Sequence, residues 1–127
     1  MSAVHVNVGA SAPFLFDAVV TNIGRAYNNK SGVFVAPRDG VYVFYFIMVN
    51  DGATPTIHAA IEKDGTVLGV GTSDGIGSSN MWDDGSVLVT THLKKGSHVY
   101  VKRRDGGTQV YGDVYTNFSG FLLSHGA

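Results

Sequence analysis

A run of nine apolar residues, 41–49, constrains the fold of this chain more than any other feature. Every second side chain of an extended strand points to the same face, so Tyr42, Phe44 and Phe46 share one face. Most of the remaining apolar residues of the run occupy the opposite face. A glycine precedes the run and Asn-Asp-Gly follows it, as is typical of turns. A buried helix could have this length, but the β-branched and aromatic side chains favour a strand.

Asp-Gly pairs recur along the chain and indicate short strands joined by tight turns. Aspartate tolerates the left-handed backbone that such turns require, and glycine adopts it without steric cost. The pairs begin at six positions: 39, 51, 64, 74, 84 and 105. The strand and turn signals together predict ten strands, near residues 12–18, 24–27, 32–36, 41–49, 56–63, 66–72, 85–93, 97–104, 108–112 and 116–124. This spacing favours an all-β sandwich.

Composition excludes several classes of function. The chain has 127 residues, of which 44% are hydrophobic and 15% charged, as expected for one globular domain. Nine basic and ten acidic residues give a net charge of -1, which provides no electrostatic footprint for nucleic acid. The chain has no cysteine, so disulfides and thiolate-bound metals are excluded. Because no catalytic motif and no run of about 18 apolar residues occurs, we predict neither an enzyme nor a membrane-inserted protein.

Two triplets of consecutive apolar residues, 14–16 and 121–123, require cover on both faces of a strand. Neighbouring side chains of a strand point to opposite faces, whereas a two-layer sandwich covers only one face of each sheet. Another copy of the chain would cover the second face, so the triplets predict a homo-oligomer. A monomer with exposed apolar side chains is the alternative, since single exposed apolar residues are common.

Aromatic, amide and glycine residues between positions 16 and 46 follow a pattern that resembles the signature of the C1q globular domain. The pattern reads Phe16-x5-Asn22-x4-Tyr27-x6-Phe34-x5-Gly40-x-Tyr42-x-Phe44-x-Phe46. Segments 85–88, 94–100 and 118–123 are similar to later strands of that family. The resemblance implies a single C1q-like domain over residues 1–127, with its core at about 10–125. The implied fold is a ten-stranded jelly-roll sandwich of two five-stranded antiparallel sheets, related to the tumour necrosis factor cytokines and assembled as a homotrimer.

An acidic segment between residues 74 and 84 is the candidate metal and ligand site. Calcium prefers oxygen ligands from carboxylates, carbonyls and water. In several C1q-domain trimers, aspartates of the corresponding loop bind calcium at the trimer apex, and the resemblance places Asp83 on one such position. Asp74 lies one residue from the other position, and Asp84 adds a third carboxylate. Ordinary turn aspartates that cap backbone amides are the alternative; Ca2+ is the one cofactor that the sequence suggests.

Three further features bear on binding. Trp82 is the only tryptophan and lies in the acidic segment, where it could stack on a sugar or pack onto the sandwich. Asn29 begins an Asn-Lys-Ser glycosylation motif in a polar turn, so it is a candidate glycan site. His92 and His98 flank a predicted hairpin turn, but two histidines make an incomplete zinc site and a solvated role is favoured.

The resemblance implies a secreted, non-enzymatic recognition protein, with any signal peptide outside this chain. We expect a lectin-like trimeric head that binds microbial or other glycans through its loops, as in the short, stalkless C1q proteins of invertebrates and molluscs. The sequence leaves two alternatives open. One is a cytokine-like or adipokine-like ligand of a host receptor, and the other is a structural extracellular assembly head.

Overall fold

The fold is built from ten β-strands among the residues that the structure describes. The computed structural model describes residues 5–7, 12–16, 25–49, 56–73, 84–106, 109–111 and 116–124. The strands are β1 (His5–Asn7), β2 (Tyr27–Asn28), β3 (Val33–Val35), β4 (Gly40–Val49), β5 (Ile57–Lys63), β6 (Thr66–Ser73), β7 (Asp84–Leu93), β8 (His98–Gly106), β9 (Gln109–Tyr111) and β10 (Asn117–Ser124). None of these segments forms a helix that is long and apolar enough to cross a membrane.

The strands form two facing sheets and one separate pair. The larger sheet has five strands in the order β2-β3-β8-β5-β6, and the smaller has three in the order β10-β4-β7. Strands β1 and β9 form the pair, and every pairing is antiparallel. The predicted all-β jelly-roll architecture of two sheets is confirmed, with one sheet of five strands. Across the described segments the second sheet has three strands where five were expected.

The core lies between the two sheets and is dominated by aromatic rings. Tyr42, Phe44 and Phe46 are at most 2% exposed, so the face of β4 that they share points inward. Phe34 and Phe118 pack on Phe44 with ring centroids at 5.2 and 5.8 Å. The larger sheet supplies fully buried aliphatic residues opposite: Ile57, Ile61, Val99 and Val101. Alternation therefore divides the apolar run into two faces, and packing against the larger sheet makes one of them core.

The four Asp-Gly pairs among the described residues act in two ways, and the pairs that begin at 51 and 74 lie outside those residues. Asp64 and Gly65 close the β5–β6 hairpin with φ angles of 46° and 87°, the two successive positive values that a tight hairpin turn requires. Asp64 also accepts a hydrogen bond through Oδ1 from the amide of His98 at 3.1 Å, which ties the hairpin to β8. The turn prediction is confirmed for this pair. The pairs that begin at 39, 84 and 105 stand instead at the ends of β4, β7 and β8.

Residues 12–16 differ from the prediction of a strand over 12–18. They contact β8 through one isolated bridge, between Pro13 and Lys102, and through a hydrogen bond from Phe14 N to Val101 O at 2.8 Å. This segment runs along β8 without forming a ladder of its own. Strand β1 was not predicted, so its pairing with β9 was not predicted either.

Candidate functional site

The outward side of the three-stranded sheet carries an apolar surface, which we call the outer face and define by Val43, Tyr45, Ile47, Leu88 and Phe121. These residues alternate along their strands with side chains that point into the core. Leu88 is 62% exposed and Phe121 is 58% exposed, while the three β4 residues are half-buried. Register places Leu88 beside Tyr45 and Phe121 beside Val43. The sheet therefore presents large apolar side chains on its outward side as well as to the core.

The central rows of the sheet, around the outer face, contain no charged side chain. Residues 43–47, 86–90 and 117–121, which form the central rows of the sheet, include no lysine, arginine, aspartate or glutamate. The outward neighbours of the apolar residues in these rows are small and polar: Ser86, Thr90, Asn117 and Ser119. Depletion of charge at the centre of an apolar surface is a property of protein interfaces.

The apolar triplets of the sequence are covered in different ways. Phe14 and Phe16 are buried, at 1% and 6% exposure, while Leu15 between them is 48% exposed. In the second triplet Leu122 packs on the core, while Phe121 and Leu123 are exposed. A third triplet, 87–89, supplies Leu88 to the outer face. Sequence reasoning missed Leu88, although three consecutive apolar residues are the same signal that marked the other two triplets.

Of the acidic segment, Asp84 alone lies among the described residues. It is the first residue of β7, pairs with Val49 and is exposed. The other three predicted site residues, Asp74, Trp82 and Asp83, lie outside the described residues. In the described part of the chain, no three histidine, aspartate or glutamate side chains come together as a metal site.

The two ends of the acidic segment start from adjacent points of the backbone. The chain leaves β6 at Ser73, which is fully buried, and returns at Asp84. A Cβ atom on the following residue, Gly85, would overlap the carbonyl oxygen of Thr72 and lie 3.1 Å from the amide nitrogen of Ser73. Glycine is required for such a close approach of two backbones. The acidic segment therefore begins and ends where the backbones of β6 and β7 lie close together.

The remaining candidates lie on the surface. Asn29 is exposed in the turn between β2 and β3, where Asn28 Oδ1 accepts a hydrogen bond from Lys30 N at 2.8 Å. The glycosylation motif is thus presented on a defined turn. His92 of β7 and His98 of β8 are both exposed, in agreement with the solvated role that the sequence favoured.

Tyr100 is the titratable residue with the clearest perturbation among those described. Burial raises the pKa of Tyr100, and the nearby Glu62 carboxylate acts in the same direction. The hydroxyl donates to Glu62 Oε1 at 3.2 Å and accepts from the amide of Gly65 at 3.1 Å. A phenol that stays protonated in this way holds the β5–β6 hairpin against β8. Its role in this arrangement is structural.

An antiparallel two-sheet jelly roll with an apolar outer face is the class of domain that these features define. The chain matches the C1q domain family over residues 2–123 and belongs to that family. Members of the family are generally binding proteins without enzymatic activity, and their domains are typically extracellular.

Solved structures share the fold at low sequence identity. The globular domain of zebrafish complement 1qA protein aligns with a TM-score of 0.78 and 16% identity, covering 98% of this chain and 94% of its own. Eiger TNF from S. frugiperda aligns with a TM-score of 0.74 and 15% identity, covering 97% and 87%. Murine APRIL at pH 8.0 aligns with a TM-score of 0.63 and 17% identity, covering 91% and 93%. At these identities the likeness shows a common fold.

Proposed function

We propose that this protein is a homotrimeric extracellular recognition head that binds glycans. The observation that carries the homotrimeric part of the proposal is the outer face, where Leu88 and Phe121 are more than half exposed and no charge interrupts the central rows. Full burial of a leucine or phenylalanine side chain contributes about 1.5–3 kcal/mol. Burying this surface against other copies of the chain would recover that free energy. Membership of the C1q family supports a threefold arrangement of the copies.

Sedimentation equilibrium at micromolar concentration tests the assembly. The trimer should sediment at about 40 kDa, three times the 13.4 kDa of the chain. Phe121→Asp places a charge on the outer face and should yield monomers. Val70→Asp is the matched control, because Val70 is 44% exposed but lies on β6 of the larger sheet, outside the outer face. A wild-type protein that sediments only at 13.4 kDa would exclude the trimer.

Calcium at the acidic segment is the second part of the proposal. The close approach of Ser73 and Gly85 supports it, because Asp74 and Asp84 are the chain neighbours of these two residues. Asp83 precedes Asp84 and contributes a further carboxylate. Threefold assembly would multiply these charges, and a cation would relieve their mutual repulsion.

Melting curves in millimolar calcium and in EDTA test this site. Calcium bound by the native trimer alone should raise the melting temperature, since a ligand at 100 times its dissociation constant adds about 2.7 kcal/mol. Asp83→Asn should remove most of the difference, whereas Glu62→Gln, a carboxylate change at a distant strand position, should preserve it. Identical melting curves in calcium and in EDTA would show that these aspartates bind no calcium and act only as turn residues.

Glycan recognition is tested by binding to a glycan array with and without calcium. Trp82→Ala should weaken binding if the indole stacks on a sugar, because aromatic rings present a large apolar face. The main alternative is a cytokine-like ligand of a host receptor, which the fold shared with Eiger TNF and APRIL favours. A trimer that binds no glycan but saturates a receptor on cultured cells would support that alternative.

A further inference from the structure

The Asp-Gly pairs of the chain differ in how the fold encloses them. The structure describes the side chains of the pairs at 39–40, 64–65 and 84–85. Gly40 and Gly85 are buried, and each lies in a strand that pairs with its neighbour. Asp64 and Gly65 are both exposed, in the turn between β5 and β6. A Cβ atom on Gly65 would meet no other atom within 4 Å, so no packed neighbour encloses this pair.

An exposed Asp-Gly pair can modify itself. The glycine amide nitrogen attacks the aspartate Cγ, the amide proton leaves with the carboxyl hydroxyl group as water, and a succinimide ring closes. Water then opens the ring at either carbonyl and yields aspartate or isoaspartate, in which the main chain runs through the side-chain carboxyl group. Glycine favours the attack because it has no side chain to hinder it. The reaction needs no reactant except water.

Two hydrogen bonds hold the reacting groups of the exposed pair apart. Asp64 Oδ1 accepts from the amide of His98 on β8 at 3.1 Å. The amide of Gly65, whose nitrogen is the nucleophile, donates to Tyr100 Oη at 3.1 Å. Tyr100 Oη donates in turn to Glu62 Oε1 at 3.2 Å, which leaves the hydroxyl oxygen to accept from the turn. The carboxyl group and the nucleophile are therefore each bonded to β8.

We propose that Asp64-Gly65 is a site of isoaspartate formation that the native contacts keep closed, and that Tyr100 controls it. Isoaspartate adds a carbon atom to the backbone, so the modified turn could not keep its two successive positive φ angles of 46° and 87°. Modification would open the β5–β6 hairpin and release it from β8. Because the pair is exposed, its protection rests on these hydrogen bonds.

The expected size of the effect follows from the hydrogen bond to Tyr100. Attack requires the turn to open, so the rate of modification follows the population of the opened turn. Loss of one hydrogen bond of ordinary net strength raises that population about two- to twelvefold. Tyr100→Phe removes the acceptor of the Gly65 amide and keeps the aromatic ring. It should therefore speed isoaspartate formation at Asp64 by that factor.

Tyr42→Phe is the matched control. The Tyr42 hydroxyl donates to Arg38 O at 2.8 Å, so this variant also loses one phenolic hydrogen bond, but on β4 of the smaller sheet. Urea unfolding of both variants compares their loss of global stability. Asp39 is an internal reference in Tyr100→Phe, because its Oδ1 accepts from the amide of Lys95 at 2.7 Å and the glycine that follows it is buried.

Isoaspartate is located by peptide mapping with electron-transfer fragmentation after the folded proteins have been incubated at neutral pH. Wild type unfolded in urea gives the rate of the open pair. Folded wild type should modify Asp64 more slowly than the unfolded chain, Tyr100→Phe should speed Asp64 and leave Asp39 unchanged, and Tyr42→Phe should leave Asp64 at the wild-type rate. An unchanged rate at Asp64 in Tyr100→Phe, or equal gains in the two variants, would overturn the proposal. Folded wild type that reacts as fast as the unfolded chain would overturn it as well.

Discussion

Gly120 of β10 lies directly opposite Phe44 of β4, and the two residues compete for the same space. A Cβ atom on Gly120 would overlap the Phe44 ring at Cδ1 and lie 2.8 Å from its Cε1 atom. Phe44 cannot withdraw, because it is 1% exposed and packs against the rings of Tyr42 and Phe118 at 6.1 and 5.8 Å. Gly120→Ala should therefore destabilise the fold, and removal of the Phe44 ring should relieve most of that cost.

The magnitudes follow from opposing terms. Overpacking a core costs about 1–3 kcal/mol, while replacing a strand glycine by alanine returns about 0.5–1 kcal/mol of backbone entropy. Gly120→Ala alone should then cost about 0.5–2 kcal/mol. Phe44→Ala should cost about 3–5 kcal/mol by leaving a cavity. In the double variant the added methyl group occupies part of that cavity, so Gly120→Ala should be close to neutral there, with a coupling of about 0.5–2 kcal/mol.

Urea unfolding of wild type, the two single variants and the double variant, all at one fixed concentration, measures this coupling. A fixed concentration is needed because assembly would make stability depend on concentration. Thermal unfolding gives the same comparison as a change in melting temperature. With an unfolding entropy of about 2.1 cal/mol/K per residue, Phe44→Ala should lower the melting temperature by roughly 15 °C and Gly120→Ala by roughly 2–7 °C. Additive effects within about 0.5 kcal/mol would refute the steric argument, and an unchanged melting temperature for Phe44→Ala would refute the assignment of the core.

Three further changes test other parts of the fold. Gly85→Ala should destabilise the protein by about 1–3 kcal/mol in urea unfolding, because its Cβ would meet the β6 backbone; a neutral result would contradict the close approach of β6 and β7. Burial raises the pKa of Tyr100 above its ordinary value of about 10, so its stabilising contribution is present below that pH and is lost as pH rises through the folded-state pKa. Tyr100→Phe should therefore make the stability of the protein fall less steeply as the pH rises in the alkaline range. An unchanged fall in stability would show that other groups cause it. Asp64→Ala removes the acceptor of the His98 amide at a position of positive φ and should cost about 1–2 kcal/mol, whereas Asp64→Asn should cost less.

Much of the fold could be predicted because its signals are local. The alternation of 41–49 identified β4 and set Tyr42, Phe44 and Phe46 on one face, and Asp64-Gly65 identified the β5–β6 hairpin. The spacing of aromatic residues from Phe16 to Phe46 indicated the C1q family, to which the chain belongs. Each of these signals depends on side-chain period or backbone preference within a few residues, which are properties that a chain carries before it folds.

The candidate site could be predicted only in part. The site roles of Asp74, Trp82, Asp83 and Asp84 and the glycan at Asn29 all stay predictions. Of the acidic segment, the structure places Asp84 alone, at the start of β7. The outer face was anticipated from 121–123, but Leu88 became visible only when register set it beside Tyr45. Register joins residues more than forty positions apart in the sequence, and no local pattern encodes which rows of two strands will meet.

What the sequence by itself determined is therefore the class of fold, the strands with strong alternation and the family. The tertiary structure decided which apolar residues are core and which are surface: Phe14 and Phe16 are buried, while Leu15 and Phe121 are exposed. It also decided that Gly85 is needed where β6 and β7 approach. The physical reason is that burial and close backbone contact depend on the neighbours of a residue in space, and the packing of two sheets brings those neighbours from distant parts of the chain.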